Sequence, residues 1–265
     1  MLDYLCLGSP PCEQNNPAAA ERCARRPPAS QWSLSRTRRI LDISIALIAL
    51  LIFAIPMGIL AACVRFTSSG KALFSQERVG RDGHLFLIYK FRSMAEANAN
   101  ESCPGLTRSG DRRVTAFGQR MRRFKLDELP QFYNVLRGDM SLVGPRPKLP
   151  QYTAILDMPY RPGITGLATL AFRGEEEILR HIQRHQIDRF YMEHIKPKKV
   201  KLDLCYMCRA TALSDLRIIG STILGCIMPA REPAFIHPTP ITPNAPGSLT
   251  REEPHEASTV HIQFA

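Results

Sequence analysis

Ile43-Ser44-Ile45-Ala46-Leu47-Ile48-Ala49-Leu50-Leu51-Ile52-Phe53-Ala54-Ile55-Pro56-Met57-Gly58-Ile59-Leu60-Ala61-Ala62-Cys63-Val64 is a run of 22 residues without a charge. As a helix it is long enough to cross a hydrocarbon core of about 30 Å. Pro56 and Gly58 interrupt it. Proline removes a backbone donor and clashes one turn back, so a bend is expected there. Both flanks are basic: Arg36, Arg38 and Arg39 before the run, Arg65 and Lys71 after it. Basic flanks favour the cytoplasmic side of a membrane. A straight span puts one flank on the wrong side, whereas a helix broken at Pro56 enters and leaves by the same face. The expectation is therefore a re-entrant membrane helix over residues 36–66, with a straight span and a buried soluble helix as the alternatives. Leu60-Ala61-Ala62-Cys63 has the form of a lipoprotein processing site. The late start of the apolar run, its length and the immediate Arg65 speak against processing there.

Outward from this run the chain changes character. Residues 1–35 contain five prolines and no sustained period, and residues 229–265 are again Pro-rich. Both read as disordered, a leader and a tail around an ordered stretch of about 36–228. The whole chain has 265 residues, 45% of them apolar, which is enough for a core. Its net charge of +11 points to an anionic partner: phosphate, nucleic acid or lipid headgroup. Ala72–Gln76 and His84–Phe91 read as short strands around a Gly80–Gly83 turn, and Val114–Phe124 as an amphipathic helix. A helix from near Asp127 to Gly138 and a charged one over Glu175–Tyr191 follow. Leu202–Met228 is too charged to span and suits a helix lying in the membrane interface. The fold class expected is α+β: a small, helix-rich cytosolic catalytic domain over 67–228, with short strands and interfacial amphipathic helices, anchored by the N-terminal helix.

Seven basic residues and one acid lie between Arg108 and Lys125. No zinc-finger spacing or aromatic RNA-binding signature accompanies them, so nucleic acid is not the expected partner. The cluster runs directly into Lys125-Leu126-Asp127-Glu128-Leu129-Pro130-Gln131. Asp127 stands where a helix N-cap would be, and a helix N-terminus favours anions. Two adjacent acids at a helix start can reach one Mg²⁺, which takes one or two carboxylates plus phosphate oxygens. With arginines nearby, these are the parts of a phosphoryl-transfer site. The plainer reading is a capping Asp beside an exposed Glu. Arg137–Pro147 and Arg161–Gly166 each set an arginine in a rigid Pro/Gly turn, suited to bidentate phosphate binding or simply to a solvated surface.

Six ordered pieces now resemble one family, the bacterial sugar transferases, which are monotopic polyprenyl-phosphate phosphoglycosyl transferases. They are Arg39-Ile40-Leu41-Asp42, Phe74-Ser75-Gln76-Glu77-Arg78-Val79-Gly80, Tyr89-Lys90-Phe91-Arg92-Ser93-Met94, Leu126–Gln131, Gly138–Pro147 and Arg161–Gly166. The similarity runs over about residues 36–222 and is closest to the small single-domain subgroup. The resemblance implies an enzyme on the cytoplasmic face of the bacterial inner membrane. It would move a sugar-1-phosphate from a UDP-sugar to polyprenyl (undecaprenyl) phosphate, releasing UMP and starting an exopolysaccharide or related glycoconjugate. It implies Asp127 as nucleophile, forming a phosphosugar–aspartyl intermediate, with Mg²⁺ held by Asp127 and Glu128. It also implies Lys90, Arg122, Arg146 and Arg161 as phosphate-binding residues, with Arg123 an alternative to Arg122. Inner-membrane lipid is a further partner, and a homo-oligomer is compatible with the sequence. The competing reading is an inactive membrane-anchored scaffold of the same fold, against which the intact Asp127-Glu128 pair argues.

Two departures from the family pattern stand out. The residue before Pro56 is Ile55, where the family often has Ser. After Gly166 the chain reads Leu167-Ala168-Thr169-Leu170-Ala171-Phe172-Arg173-Gly174-Glu175-Glu176-Glu177 in place of a Trp and a Gln-Val-Asn-Gly stretch, so sugar specificity does not carry over. Cys205 and Cys208 have redox or zinc spacing but no partner pair, and His181 and His185 lack the zinc-protease glutamate. Packed thiols and a solvated helix face are the expected readings.

Overall fold

The computed structural model describes residues 29–67, 70–95, 107, 109–152 and 158–227. Most of the expected leader and all of the expected tail lie outside the described residues. The leader's last residues are part of the fold: Gln31–Leu34 (α1) is one helical turn, capped where Ser30 accepts from the Ser33 amide. Ser33 Oγ donates to the Met207 carbonyl and Trp32 Nε1 to Asp215, at 3.1 and 2.9 Å. These anchors order a segment whose composition alone reads as disordered.

The apolar run forms one helix, α2 (Arg36–Thr67), with Pro56 inside it. Its residues stay helical on both sides of Pro56, where a break was expected. Pro56 lies on the exposed side. On the opposite side Phe53, Met57, Leu60, Ala61 and Val64 pack with Phe91, Met121 and Leu129. Further toward the start, Ala46 and Ile45 join the main core around Val135, Met140, Leu142 and Ile218. These positions recur every three or four residues, which is one face of a helix. The other face is bare: Leu51 is 70% exposed and Ile55 77%. The helix is long and apolar enough to cross a membrane, yet both its halves dock on the same domain.

Two polar clamps fix the start of α2. Asp42 accepts from Ser141 Oγ (2.8 Å) and the Leu142 amide (3.1 Å). Arg38 donates to Asp215 (2.8 Å) and to the Val143 carbonyl (2.6 Å). Each buried charge is thus paired or hydrogen-bonded, as burial demands.

Leu73–Val79 (β1) and Leu85–Phe91 (β2) form an antiparallel hairpin with Phe74 opposite Lys90 and Arg78 opposite Phe86. α3 (Ala116–Arg123) is capped by Thr115. It lies so close to the chain after β2 that a Cβ on Gly118 would sit 2.0 Å from the Ser93 carbonyl oxygen. Lys125, with φ 57°, ends this helix and starts a tight turn over Leu126–Glu128. α4 (Gln131–Arg137) begins only after Pro130 and stops at Gly138, whose φ is 102°. Asp127 is therefore not an N-cap, which corrects the expectation of one helix from Asp127 to Gly138. Ser141–Val143 (β3) and Gly163–Thr165 (β4) pair in parallel, Ser141 opposite Gly163 and Val143 opposite Thr165.

The charged helix expected over Glu175–Tyr191 is broken. α5 (Leu167–Ala171) precedes α6 (Glu175–Arg180), and α7 (Ile187–Phe190) continues through a wide turn at Tyr191–Ile195 into α8 (Lys196–Arg209). The segment expected as one interfacial helix over Leu202–Met228 is also two. Ala210 is extended, and Thr211 and Ser214 cap each other at the start of α9 (Ala212–Ile227), each side chain accepting from the other's amide. α8 buries Asp203, Cys205, Tyr206 and Met207 and so belongs to the core. α9 instead exposes Leu213, Leu216, Ile223, Leu224 and Ile227.

Candidate active site

The Leu126–Glu128 turn is held by its neighbours. The Glu128 amide donates to the Lys125 carbonyl at 3.1 Å, and the left-handed Lys125 swings the following residues inward. Asp127 and Glu128 end up 6% and 7% exposed, at the wall of a cleft of about 730 Å³. Lys90, Arg122, Arg123, Lys125 and Arg146 line the same cleft. Strand β2 delivers Lys90, and the turn after β3 delivers Arg146.

The two acids have opposite surroundings. Arg146 grips Glu128 with both terminal nitrogens, Nη1 at 3.2 Å from Oε2 and Nη2 in closer contact with Oε1. Lys90 and Lys125 approach the same carboxylate at 3.7 and 3.9 Å. Burial alone would push the Glu128 carboxyl up, but Arg146, Lys125 and Lys90 together hold it well below its usual range. Asp127 moves the other way: burial and then the Glu128 charge raise its carboxyl, against Lys90, Lys125 and Arg122. Its Oδ1 is buried and has no hydrogen-bond partner among the described residues. A buried acceptor left open costs about 1–3 kcal/mol, so the site keeps Asp127 available at an expense. Adjacent groups pushed apart in this way take different chemical roles. Burial also lowers Lys90 to about 8, with Glu128 opposing the fall.

Arg122 forms an ion pair with Glu176 of α6 across the cleft. Arg161 is placed elsewhere. Its Nε donates to the Gly138 carbonyl at 2.7 Å, ahead of β4, while Arg146 Nη1 donates to the Ile164 carbonyl inside β4 at 3.0 Å. The two arginines of the Pro/Gly turns are thus separated along the β3–β4 pair, and only Arg146 lines the cleft.

Other lining residues were not singled out from the sequence: Arg78, Lys148, Tyr191, Lys199 and Asp203. Arg78 sits inside one of the recognised pieces, and that was the available signal. Lys148, Tyr191 and Asp203 come from three separate segments that nothing in their spacing connects.

Among the described residues no three His, Cys, Asp or Glu side chains are grouped for a metal. The open Oδ1 of Asp127 fits a hard cation that draws its remaining ligands from phosphate and water. Glu128 is less free, because Arg146 occupies both of its oxygens.

A family model described as bacterial sugar transferase matches residues 33–229. Over 226 residues the chain is 34% identical to an undecaprenyl-phosphate glucose phosphotransferase of Komagataeibacter xylinus, a stretch covering 80% of this chain and 40% of that protein. A UDP-N-acetylgalactosamine-undecaprenyl-phosphate N-acetylgalactosaminephosphotransferase of Aeromonas hydrophila is 41% identical over 140 residues, 49% of this chain and 33% of the relative. The match therefore spans well under half the length of these two relatives. A UDP-glucose:undecaprenyl-phosphate glucose-1-phosphate transferase of Caulobacter vibrioides is 34% identical over 211 residues, 74% of this chain and 72% of that protein.

Proposed function

Because the chain belongs to the bacterial sugar transferase family, we propose that it transfers a sugar-1-phosphate from a UDP-sugar to polyprenyl phosphate. The observation that carries this reading is the buried, unpartnered Oδ1 of Asp127 in a cleft lined by cations, beside a carboxylate already committed to Arg146.

In the first displacement a carboxylate oxygen of Asp127 attacks the sugar-bearing phosphorus. The bond from that phosphorus to the bridging oxygen breaks, and UMP leaves with the bridging electron pair. In the second, an oxygen of polyprenyl phosphate attacks the same phosphorus, and the aspartyl–phosphorus bond breaks to restore the carboxylate. The order is ping-pong. Lys90, Arg122 and Arg146 face the charge that develops on the phosphate oxygens, which is where fixed cations lower a barrier. Arg122 must exchange Glu176 for phosphate. Glu128 keeps Arg146 oriented and raises the proton affinity of Asp127, and the neighbouring cations offset that effect. Mg²⁺ bound at Asp127 would neutralise the diphosphate, supplying charge that the side chains alone do not.

The same reading sets the enzyme on the cytoplasmic face of the bacterial inner membrane, starting an exopolysaccharide or related glycoconjugate. A helix docked by both halves on one domain, with a bare apolar outer face, supports anchoring from one side of the bilayer in a re-entrant manner. The exposed apolar side of α9 supports contact with lipid at the interface.

The test is UMP release by the purified chain with Mg²⁺, polyprenyl phosphate and a panel of UDP-sugars, beside Asp127→Asn. Release with at least one donor, lost in the variant, is expected. Release that survives in the variant would remove Asp127 from the role of nucleophile.

A further inference from the structure

Beyond Arg146 the cleft continues to an end that the phosphate chemistry does not use. Arg78 marks the way: its charge neighbours are Arg146 and Tyr191. It is tied to the Pro147 carbonyl (3.3 Å) and to Gln76 Oε1 (2.7 Å), and its buried Nε has no hydrogen-bond partner among the described residues. The far wall is α8 and the turn before it. Lys199 Nζ donates to Glu175 at 2.5 Å and lies over the rings of Tyr191 and Phe172, 5.7 and 5.8 Å from their centroids. Asp203, one turn after Lys199 on α8, lines the same space and is 6% exposed. Lys148, from the segment after β3, lines it too. Among the described residues neither Lys148 nor Asp203 has an ion-pair partner, although each is the other's leading charge neighbour.

Asp203 is buried and already accepts a hydrogen bond from the Ala168 backbone, while Lys148 is half-buried, so a group that donates to the carboxylate and accepts from the ammonium fits between them. A sugar hydroxyl is such a group. The ribose hydroxyls of the uridine offer the same chemistry, and plain UDP carries them too, so comparison with UDP separates the two ends of the donor. Burial holds the Asp203 carboxyl up at about 6, against Lys148 and Lys199, so it accepts hydrogen bonds at neutral pH.

We propose that this end of the cleft, formed by Tyr191, Asp203, Lys148 and the Lys199–Glu175 pair, is the subsite for the donor's sugar, and that Asp203 and Lys148 read its hydroxyls. The proposal rests on the transfer reaction proposed above. It gives a place to the stretch after Gly166 where the chain departs from the family pattern, because Phe172 and Glu175 come from that stretch.

The test uses the full chain in lipid nanodiscs, with Lys148→Met and Asp203→Asn as separate variants and thermal melts to confirm folding. Binding of UDP-glucose, UDP-galactose, UDP-N-acetylglucosamine, UDP-N-acetylgalactosamine and plain UDP is measured by calorimetry in an Asp127→Asn background, where no turnover occurs. Each variant is expected to weaken the preferred UDP-sugar at least tenfold while changing UDP less than twofold. With Asp127 present, the ranking of donors in UMP release should change as well. Equal losses for UDP and UDP-sugar would give this end to the uridine and overturn the proposal, as would no loss at all. If one variant fails to fold, the other decides alone. A chain that binds UDP-sugars but releases no UMP with any donor defeats the transfer reading, and the binding ratios still decide the subsite. A chain that binds none defeats both.

Discussion

Arg146 holds Glu128 through both terminal nitrogens, while Asp127, one residue away, has an oxygen that no described residue satisfies. The pair separates two chemically identical groups. Glu128, held below its usual carboxylate range, is ionised at neutral pH. Asp127 becomes a carboxylate with raised proton affinity at the cleft wall.

Asp127→Asn should abolish transfer and raise stability. Loss of a nucleophile removes several orders of magnitude in rate, on the order of 10⁴ or more. The folded-state pKa of Asp127 lies above its unfolded value. Its stabilising contribution is therefore present at low pH and is lost as pH rises through that window. At pH 7 the ionised group destabilises, so the amide should melt higher. A lower melting temperature at pH 7 would mean that the carboxylate has a partner after all.

Arg146→Met should cost about 3–5 kcal/mol, the usual result of stripping one member from a buried ion pair. Glu128 is depressed in the folded state, so its contribution is present above its unfolded pKa and lost as pH falls through the folded one. Denaturant melts between pH 3 and 7 should show a shallower acid loss in the variant. Identical acid dependence in both proteins would contradict the pairing.

The pH profile of kcat/KM should be bell-shaped. Its acid limb reports Asp127 and should lie above the ordinary aspartate range, because the carboxylate must be ionised to attack. Its alkaline limb should fall near pH 8, where Lys90 loses the proton that makes it a phosphate ligand. Lys90→Arg should move that limb to higher pH while leaving the acid one in place. An alkaline limb unmoved by the substitution would assign it to another group.

Arg161→Ala should leave the donor KM within about twofold and cost about 1–3 kcal/mol of stability, the range for a lost hydrogen bond from a charged group. Its guanidinium serves the Gly138 carbonyl and does not line the cleft. A KM raised tenfold or more with unchanged stability would return Arg161 to the phosphate site that its motif suggests.

Cysteines introduced by Arg36→Cys and Lys71→Cys flank α2 at exposed positions. Neither should react with an impermeant thiol reagent added outside intact cells, and both should react after lysis. Labelling of only one from outside would demonstrate a straight span.

Much of this protein was legible before any coordinates. The uncharged run of 22 residues predicts α2, because a long apolar helix depends on local composition. The alternation around Gly80–Gly83 predicts the hairpin, and the spacing of Val114, Phe117 and Met121 predicts α3, for the same reason. The adjacency of Asp127, Glu128 and a basic cluster marks the chemistry. Missed were the splits between α6 and α7 and between α8 and α9, and the attachment of Trp32. The attachment of Trp32 depends on a contact distant in sequence, Asp215 being 183 residues away, whereas the start of α9 carries the local Thr211–Ser214 cap.

The sequence by itself determined the apolar helix, the hairpin and α3, and which acids and arginines are candidates for phosphate chemistry. These follow from side-chain type and spacing along the chain. Only the tertiary structure decided that Glu128 belongs to Arg146 while Asp127 stays open, that Arg161 turns away to Gly138, and that Lys148, Tyr191 and Asp203 share one end of a cleft. Burial and partner choice set those outcomes. A charge buried beside a fixed counter-charge and one buried without it behave oppositely, and the linear order of residues does not encode which partner arrives.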